Sequence, residues 1–130
     1  MTGKFTVEII SPERIILKNE ADEVVIPSFE GEMGILKDHL PLITFLRPGL
    51  IKIKEDDLTK VFFIEEGTIE FSENKLLILT SSAKETSKMN KNSIDTLISD
   101  AENNIKSDSI SDKEKYLLSH KIESLKNINQ

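Results

Sequence analysis

The period of the apolar residues changes once along this chain, and that change limits the fold more than any other feature. From Phe5 to Thr80 they recur at alternate positions in short runs, and from Ile94 onward they recur at helical spacing. A period of two puts side chains on alternate faces of a strand, whereas a period of 3.6 lines one stripe of a helix. The first two thirds therefore read as β and the last third as α. Phe5, Val7 and Ile9 alternate with Thr6, Glu8 and Ile10, and further strands are predicted at Arg14–Lys18, Glu23–Ile26, Leu42–Leu46, Leu50–Lys54, Lys60–Ile64, Thr68–Phe71 and Lys75–Thr80. Arg47-Pro48-Gly49 breaks the run with a preset φ followed by a residue free to take φ > 0. Glu55-Asp56-Asp57 and Glu73-Asn74 are polar reversals. Short connections predict antiparallel pairing, since a parallel pair needs a long crossover. Lys75–Thr80, apolar on both faces, is expected at the centre of a sheet. The fold class that follows is an antiparallel β sandwich of two sheets over residues 1–87, followed by a C-terminal α-helical hairpin over 88–130.

Ser81–Ser93 is polar and without period, and reads as a linker. Beyond it Ile94, Leu97, Ile98, Ala101 and Ile105 form one helical stripe, with Ser93 as its N-cap. After a break at Asp108–Ile110, Ser111-Asp112-Lys113-Glu114 has the form of a capping box, with Leu117, Leu118, Ile122 and Leu125 behind it. Two helices of this length bury only one seam between them, so the hairpin has to dock on the sandwich or on another protein. Residues 89–130 carry 6 lysines and 7 acids, against 11 basic and 16 acidic residues over 1–88. Neither strong attraction nor strong repulsion fixes the hairpin, and an element with two comparable docking options is a candidate switch.

Composition narrows the function. With 17 Lys+Arg against 23 Asp+Glu the net charge is −6, which repels polyanions and argues against nucleic acid as a partner. The absence of cysteine excludes a thiolate nucleophile, a disulfide framework and Cys-ligated metal. Two histidines and two arginines leave little for metal, acid–base or phosphate chemistry, so no cofactor and no metal is expected. No apolar run exceeds the four residues of Leu76–Leu79, far short of the roughly 18 of a membrane span, so no direct membrane insertion is expected. Residues 1–10 lack an apolar stretch or cleavage site, and the chain is expected to stay where it is made.

One segment carries more information than the rest. It runs Val25-Ile26-Pro27-Ser28-Phe29-Glu30-Gly31-Glu32-Met33-Gly34-Ile35-Leu36-Lys37-Asp38-His39-Leu40-Pro41-Leu42, with Leu46-Arg47-Pro48-Gly49 after it. Taken alone, Glu30 and Glu32 are solvated turn acids; a glycosidase pair would flank a substrate at about 5–9 Å rather than share one turn. Gly31-x-x-Gly34 lacks the Lys-Ser/Thr of a phosphate loop, and His39 has no second histidine at ligand spacing. Taken together, the segment resembles the epsilon-subunit family of the rotary F-type ATP synthase, the counterpart of the mitochondrial delta subunit. There a strand is followed by E-G-E-x-G-x-x-x-x-H-x-P-L and then L-x-P-G, and every fixed position of that pattern is met.

The resemblance implies a non-catalytic rotor subunit that binds the gamma subunit and the polar loops of the c-ring and couples proton-driven rotation to ATP synthesis. It implies a peripheral place at the cytoplasmic face of the bacterial inner membrane, held there through the complex. Glu30, Gly31 and Glu32 match the c-ring-facing loop, while Ser11 and His39 occupy positions that face gamma in relatives. The family's I/L-D-x-x-R-A motif, which helps some members bind ATP, is only half present: Ile98 and Ser99 stand where its Arg and Ala would be. Asp95 is the one retained polar residue, so nucleotide binding is doubtful and Asp95 reads better as a first-turn acid. In relatives the second helix reaches the alpha/beta head and blocks hydrolysis with basic residues, for which Lys113, Lys115, Lys121 and Lys126 are the candidates here. With Asp112, Glu114 and Glu123 interleaved, weak or absent inhibition is expected. The alternative is an autonomous β-sandwich binding module that matches the segment by chance.

Overall fold

The computed structural model describes residues 3–128. Its strands are β1 (Phe5–Ile10), β2 (Ile15–Ala21), β3 (Glu23–Ser28), β4 (Gly31–Leu36), β5 (Leu42–Leu46), β6 (Gly49–Glu55), β7 (Leu58–Ile64), β8 (Gly67–Ser72), β9 (Lys75–Leu79) and β10 (Ala83–Glu85). A 3₁₀ turn (Thr86–Lys88) leads into helices α1 (Lys91–Ile105) and α2 (Asp112–Lys126). The strands form two layers, β10-β7-β6-β3-β4 and β5-β8-β9-β1-β2, joined at a corner by the single pair Ser28–Leu46 between β3 and β5. This is the expected sandwich. Val7, Ile9, Ile26, Ile51, Ile69 and Ile78, each at most 1% exposed, fill the space between the layers. Burial of one such side chain is worth roughly 1.5–3 kcal/mol relative to exposure. β9 lies third of five in its layer, as its two apolar faces predict: Leu76 and Ile78 point into the core and Leu79 points out.

Four local expectations are corrected. Gly31–Leu36 is a strand and not part of a loop; it pairs antiparallel with β3 from Ser28–Gly31 to Glu23–Leu36. Met33 and Ile35 face inward, and that packing outweighs the two glycines that disguise the alternation. The linker holds another strand, β10, because Ala83 is buried opposite Ile64. β1 and β9 pair in parallel, Thr6 with Lys75 through Ile10 with Leu79. The short-connection argument governs neighbours in sequence, and these two strands are joined by most of the sandwich. Finally, α1 begins three residues early: Asn90, not Ser93, is the N-cap, and its side chain accepts the Ser93 N–H. Asp95 therefore falls beyond the first turn and cannot serve as a first-turn acid.

The capping box forms as read. Ser111 Oγ accepts the Glu114 N–H at 3.1 Å while Glu114 returns to Ser111. The hairpin docks on the outer face of β6 and β7, where Ile94, Leu125 and Ile128 bury against Phe63, with Leu50, Leu97 and Ile98 around them. This small cluster is separate from the main core.

Candidate functional site

Three regions of the surface carry the residues singled out in the sequence. The first is the turn between β3 and β4. Glu30 and Glu32 are exposed there, beside Gly31 at φ 128°, and Ser28 Oγ donates to the Gly31 carbonyl at 2.6 Å to hold the turn closed.

The second region is the outer face of the β5-β8-β9-β1-β2 layer. Register aligns Phe45, Thr68, Leu79, Ile10 and Ile15 in one row across all five strands. Phe45 is 67% exposed, Ile15 58% and Leu79 45%, and Ile43 in the next row reaches 78%. Glu8 in that next row is nearly buried, between Lys18 at 3.7 Å and Lys75 at 3.5 Å. Four of the five residues in the row are apolar, and three of them stand exposed on a solvent-facing sheet. Ser11 follows Ile10 at one end of the face; it is buried, accepts from the Glu13 and Arg14 N–H groups and donates to the Arg14 carbonyl. His39 lies toward the other end, with its ring edge on Phe71 and Nδ1 2.8 Å from the Leu40 carbonyl. The preceding Asp38, at φ 67°, is clasped to Asn74 by hydrogen bonds of 2.7 and 3.0 Å. Ser11 and His39 thus lie at opposite ends of this layer without meeting, His39 against the buried ring of Phe71, and the Glu30 turn borders the Ser11 end through Phe29. A groove of about 1040 Å³ joins the Ser11 end of this face to α2, lined by Ile10, Phe29, Phe45 and Leu79 on one side and Leu117, Leu118 and Lys113 on the other.

The third region ties the tail to the sandwich, and its residues escaped the sequence reading. Arg47, in the β5–β6 turn, donates from Nη1 to the Tyr116 hydroxyl at 3.1 Å and lies 3.3 Å from His120 Nε2. Tyr116 donates onward to the Phe29 carbonyl at 3.1 Å and stacks on the Phe29 ring at 6.0 Å. Burial, and secondly the Arg47 charge, hold the His120 pKa below its usual value, with Glu123 acting in the opposite sense. The available signal was scarcity: this cluster takes one of two arginines, one of two histidines and the single tyrosine. Of the four tail lysines, Lys121 pairs with Glu65 and Lys126 with Glu102, so two are engaged within the chain; Lys113 and Lys115 are exposed. Asp95 is exposed as well.

A family model described as ATP synthase, Delta/Epsilon chain, beta-sandwich domain matches residues 4–86. An ATP synthase epsilon chain of Pelagibacter ubique is 45% identical over 130 residues, covering 99% of this chain and 100% of that one. Another, from Chelativorans sp., is 45% identical over 53 residues, 41% of this chain and 39% of its own length. Among solved structures, a chain of the Euglena gracilis mitochondrial ATP synthase, OSCP/F1/c-ring, superposes with a TM-score of 0.75 at 17% identity, over 95% of this chain and 78% of that one. A chain of the Tetrahymena thermophila mitochondrial ATP synthase central stalk and c-ring does so with a TM-score of 0.61 at 12% identity, over 96% of each. At these identities the structural likeness is one of fold.

Proposed function

Because the chain belongs to the delta/epsilon family of ATP synthase subunits, we propose that it works as a non-catalytic part of the rotor, coupling proton-driven rotation to ATP synthesis. In this reading the subunit sits in the central stalk, bound to the gamma subunit through the outer face of the β5-β8-β9-β1-β2 layer and to the polar c-ring loops through the Glu30-Gly31-Glu32 turn. The observation that carries it is the exposed row Phe45, Leu79 and Ile15, with Ile43 beside it, on the layer that has Ser11 and His39 at its opposite ends. A row of that length left in water is unfavourable by about 25 cal/mol for each Å² it keeps exposed, and a rotor neighbour removes it.

The turn has a chemistry suited to a second neighbour. Two carboxylates on a closed hairpin tip accept hydrogen bonds from the polar side chains and backbone donors of a neighbouring loop, and Gly31 lets that backbone approach closely. The complex holds the subunit peripherally at the cytoplasmic face of the bacterial inner membrane. Among the described residues no helix is long and apolar enough to cross a membrane. For contact with alpha and beta subunits, Lys113 and Lys115 are exposed on the docked tail, whereas Lys121 and Lys126 must first leave Glu65 and Glu102.

Co-purification with the cognate gamma subunit tests the reading. The full chain is expected to hold gamma through size exclusion, Phe45→Glu and His39→Ala to weaken that association, and Glu32→Lys to leave it intact while weakening binding to assembled c-ring. A chain that stays monomeric beside gamma overturns the proposal.

A further inference from the structure

The tail is held by a small apolar cluster, by the Lys121–Glu65 pair and by a polar contact set around Arg47 whose geometry depends on a single proton. A guanidinium has only donors, so the 3.3 Å approach of Arg47 Nη1 to His120 Nε2 requires that nitrogen to offer its lone pair, the neutral tautomer with hydrogen on Nδ1. Protonation turns Nε2 into a donor, removes the hydrogen bond and sets two cations face to face. We propose that Arg47, Tyr116 and His120 form a pH-operated latch, which holds α2 on the sandwich while the imidazole is neutral and releases it on protonation.

The other charged groups around the ring do not reverse this. On α2 itself, Glu123 Oε2 lies 4.0 Å from Nδ1 but is 71% exposed, so solvent screens its attraction. The polar cleft over the ring adds Glu32 from β4 and Lys52 from β6, one charge of each sign, and among the described residues α1 contributes nothing to its lining. The sign of the effect follows from the lowered pKa of the docked ring, attributed above to burial and then Arg47. The undocked tail binds the proton more readily, so docking is at full strength above about pH 6.5 and weakens as pH falls below it, until the docked ring also protonates. Release also breaks the Tyr116–Phe29 contact beside Glu30; a consequence for the c-ring rests on the function proposed above, whereas the latch does not.

The cysteine-free chain allows two spin labels, at Asp57→Cys in the β6–β7 turn and Lys115→Cys on α2, both exposed. In the full chain alone, the inter-label distance is expected to be narrow at pH 7.5 and to gain a long component by pH 5.5. The docked-to-released ratio should fall several-fold, bounded at roughly tenfold by the protonation of a free imidazole of pKa about 6.5. His120→Gln should keep the narrow distance at both pH values. Should that variant release its tail at every pH, Arg47→Gln decides: its pH response should shrink. A distance unchanged from pH 7.5 to 5.5 in the parent chain, or a full response retained in His120→Gln or in Arg47→Gln, overturns the latch.

Discussion

Gly49 follows Pro48 where the chain enters β6, and it has no room for a side chain: a Cβ there would stand 2.5 Å from Pro27 Cβ and 2.9 Å from Pro27 Cγ. Both contacts are with a ring that cannot turn away, so Gly49→Ala forces backbone apart and is expected to lower unfolding stability by about 1–3 kcal/mol in a urea titration. A loss below about 0.5 kcal/mol would show that β3 and β6 separate freely at this point. Gly31 presents the opposite case, with nothing within 4 Å of its added Cβ but a φ of 128°. Space made the first glycine necessary and backbone conformation the second. Both lie in motifs visible in the sequence, but only coordinates separate the two causes.

Among the elements, α2 has the clearest start signal and the weakest hold. Its Ser111–Glu114 capping box satisfies two N-terminal donors, yet of its apolar stripe only Leu125 is buried. Ser111→Ala removes the side-chain acceptor for the Glu114 N–H and is expected to cost about 1 kcal/mol, which speeds amide exchange about fivefold over residues 112–116 and leaves the sandwich amides unchanged. Equal exchange in variant and parent would mean that docking, not the cap, sets the start of this helix. The box was legible because it is a local pattern. The strands with wide apolar alternation were legible for the same reason, whereas β4 was hidden by two glycines and a motif that reads as loop, and β10 by having three residues. The parallel β1–β9 pair and the Arg47–Tyr116–His120 cluster depend on residues 69 or more positions apart, and no local spacing encodes such contacts. Of the candidate sites, the Glu30–Glu32 turn and His39 were readable from one continuous motif, while the apolar row across five strands needed the register to bring its members together.

The molecule as a whole divides its apolar burial unequally. Among the described residues the main core contains none beyond Ala83, and the tail shares only the smaller cluster around Phe63. Deleting residues 89–130 should therefore leave a sandwich that still unfolds in one cooperative step, with a lower midpoint because Phe63 and Leu50 lose their cover. Loss of cooperativity would show that the tail completes the core. The same truncation addresses regulation in the assembled enzyme. An inhibitory tail must leave the sandwich and offer cations to the catalytic head, but Lys121 and Lys126 are already paired with Glu65 and Glu102, and no arginine follows Arg47. Each exposed pair is worth at most about 1 kcal/mol, so pairing alone does not forbid extension. What weakens the inhibitory surface is its mixed charge, with Asp112, Glu114 and Glu123 set among the lysines of one short helix. Removing residues 89–130 is accordingly expected to change the ATP hydrolysis rate of the assembled complex by less than about twofold. A rise of tenfold or more would mean that the released tail carries an inhibitory contact worth about 1.4 kcal/mol or more, one that the docked conformation hides.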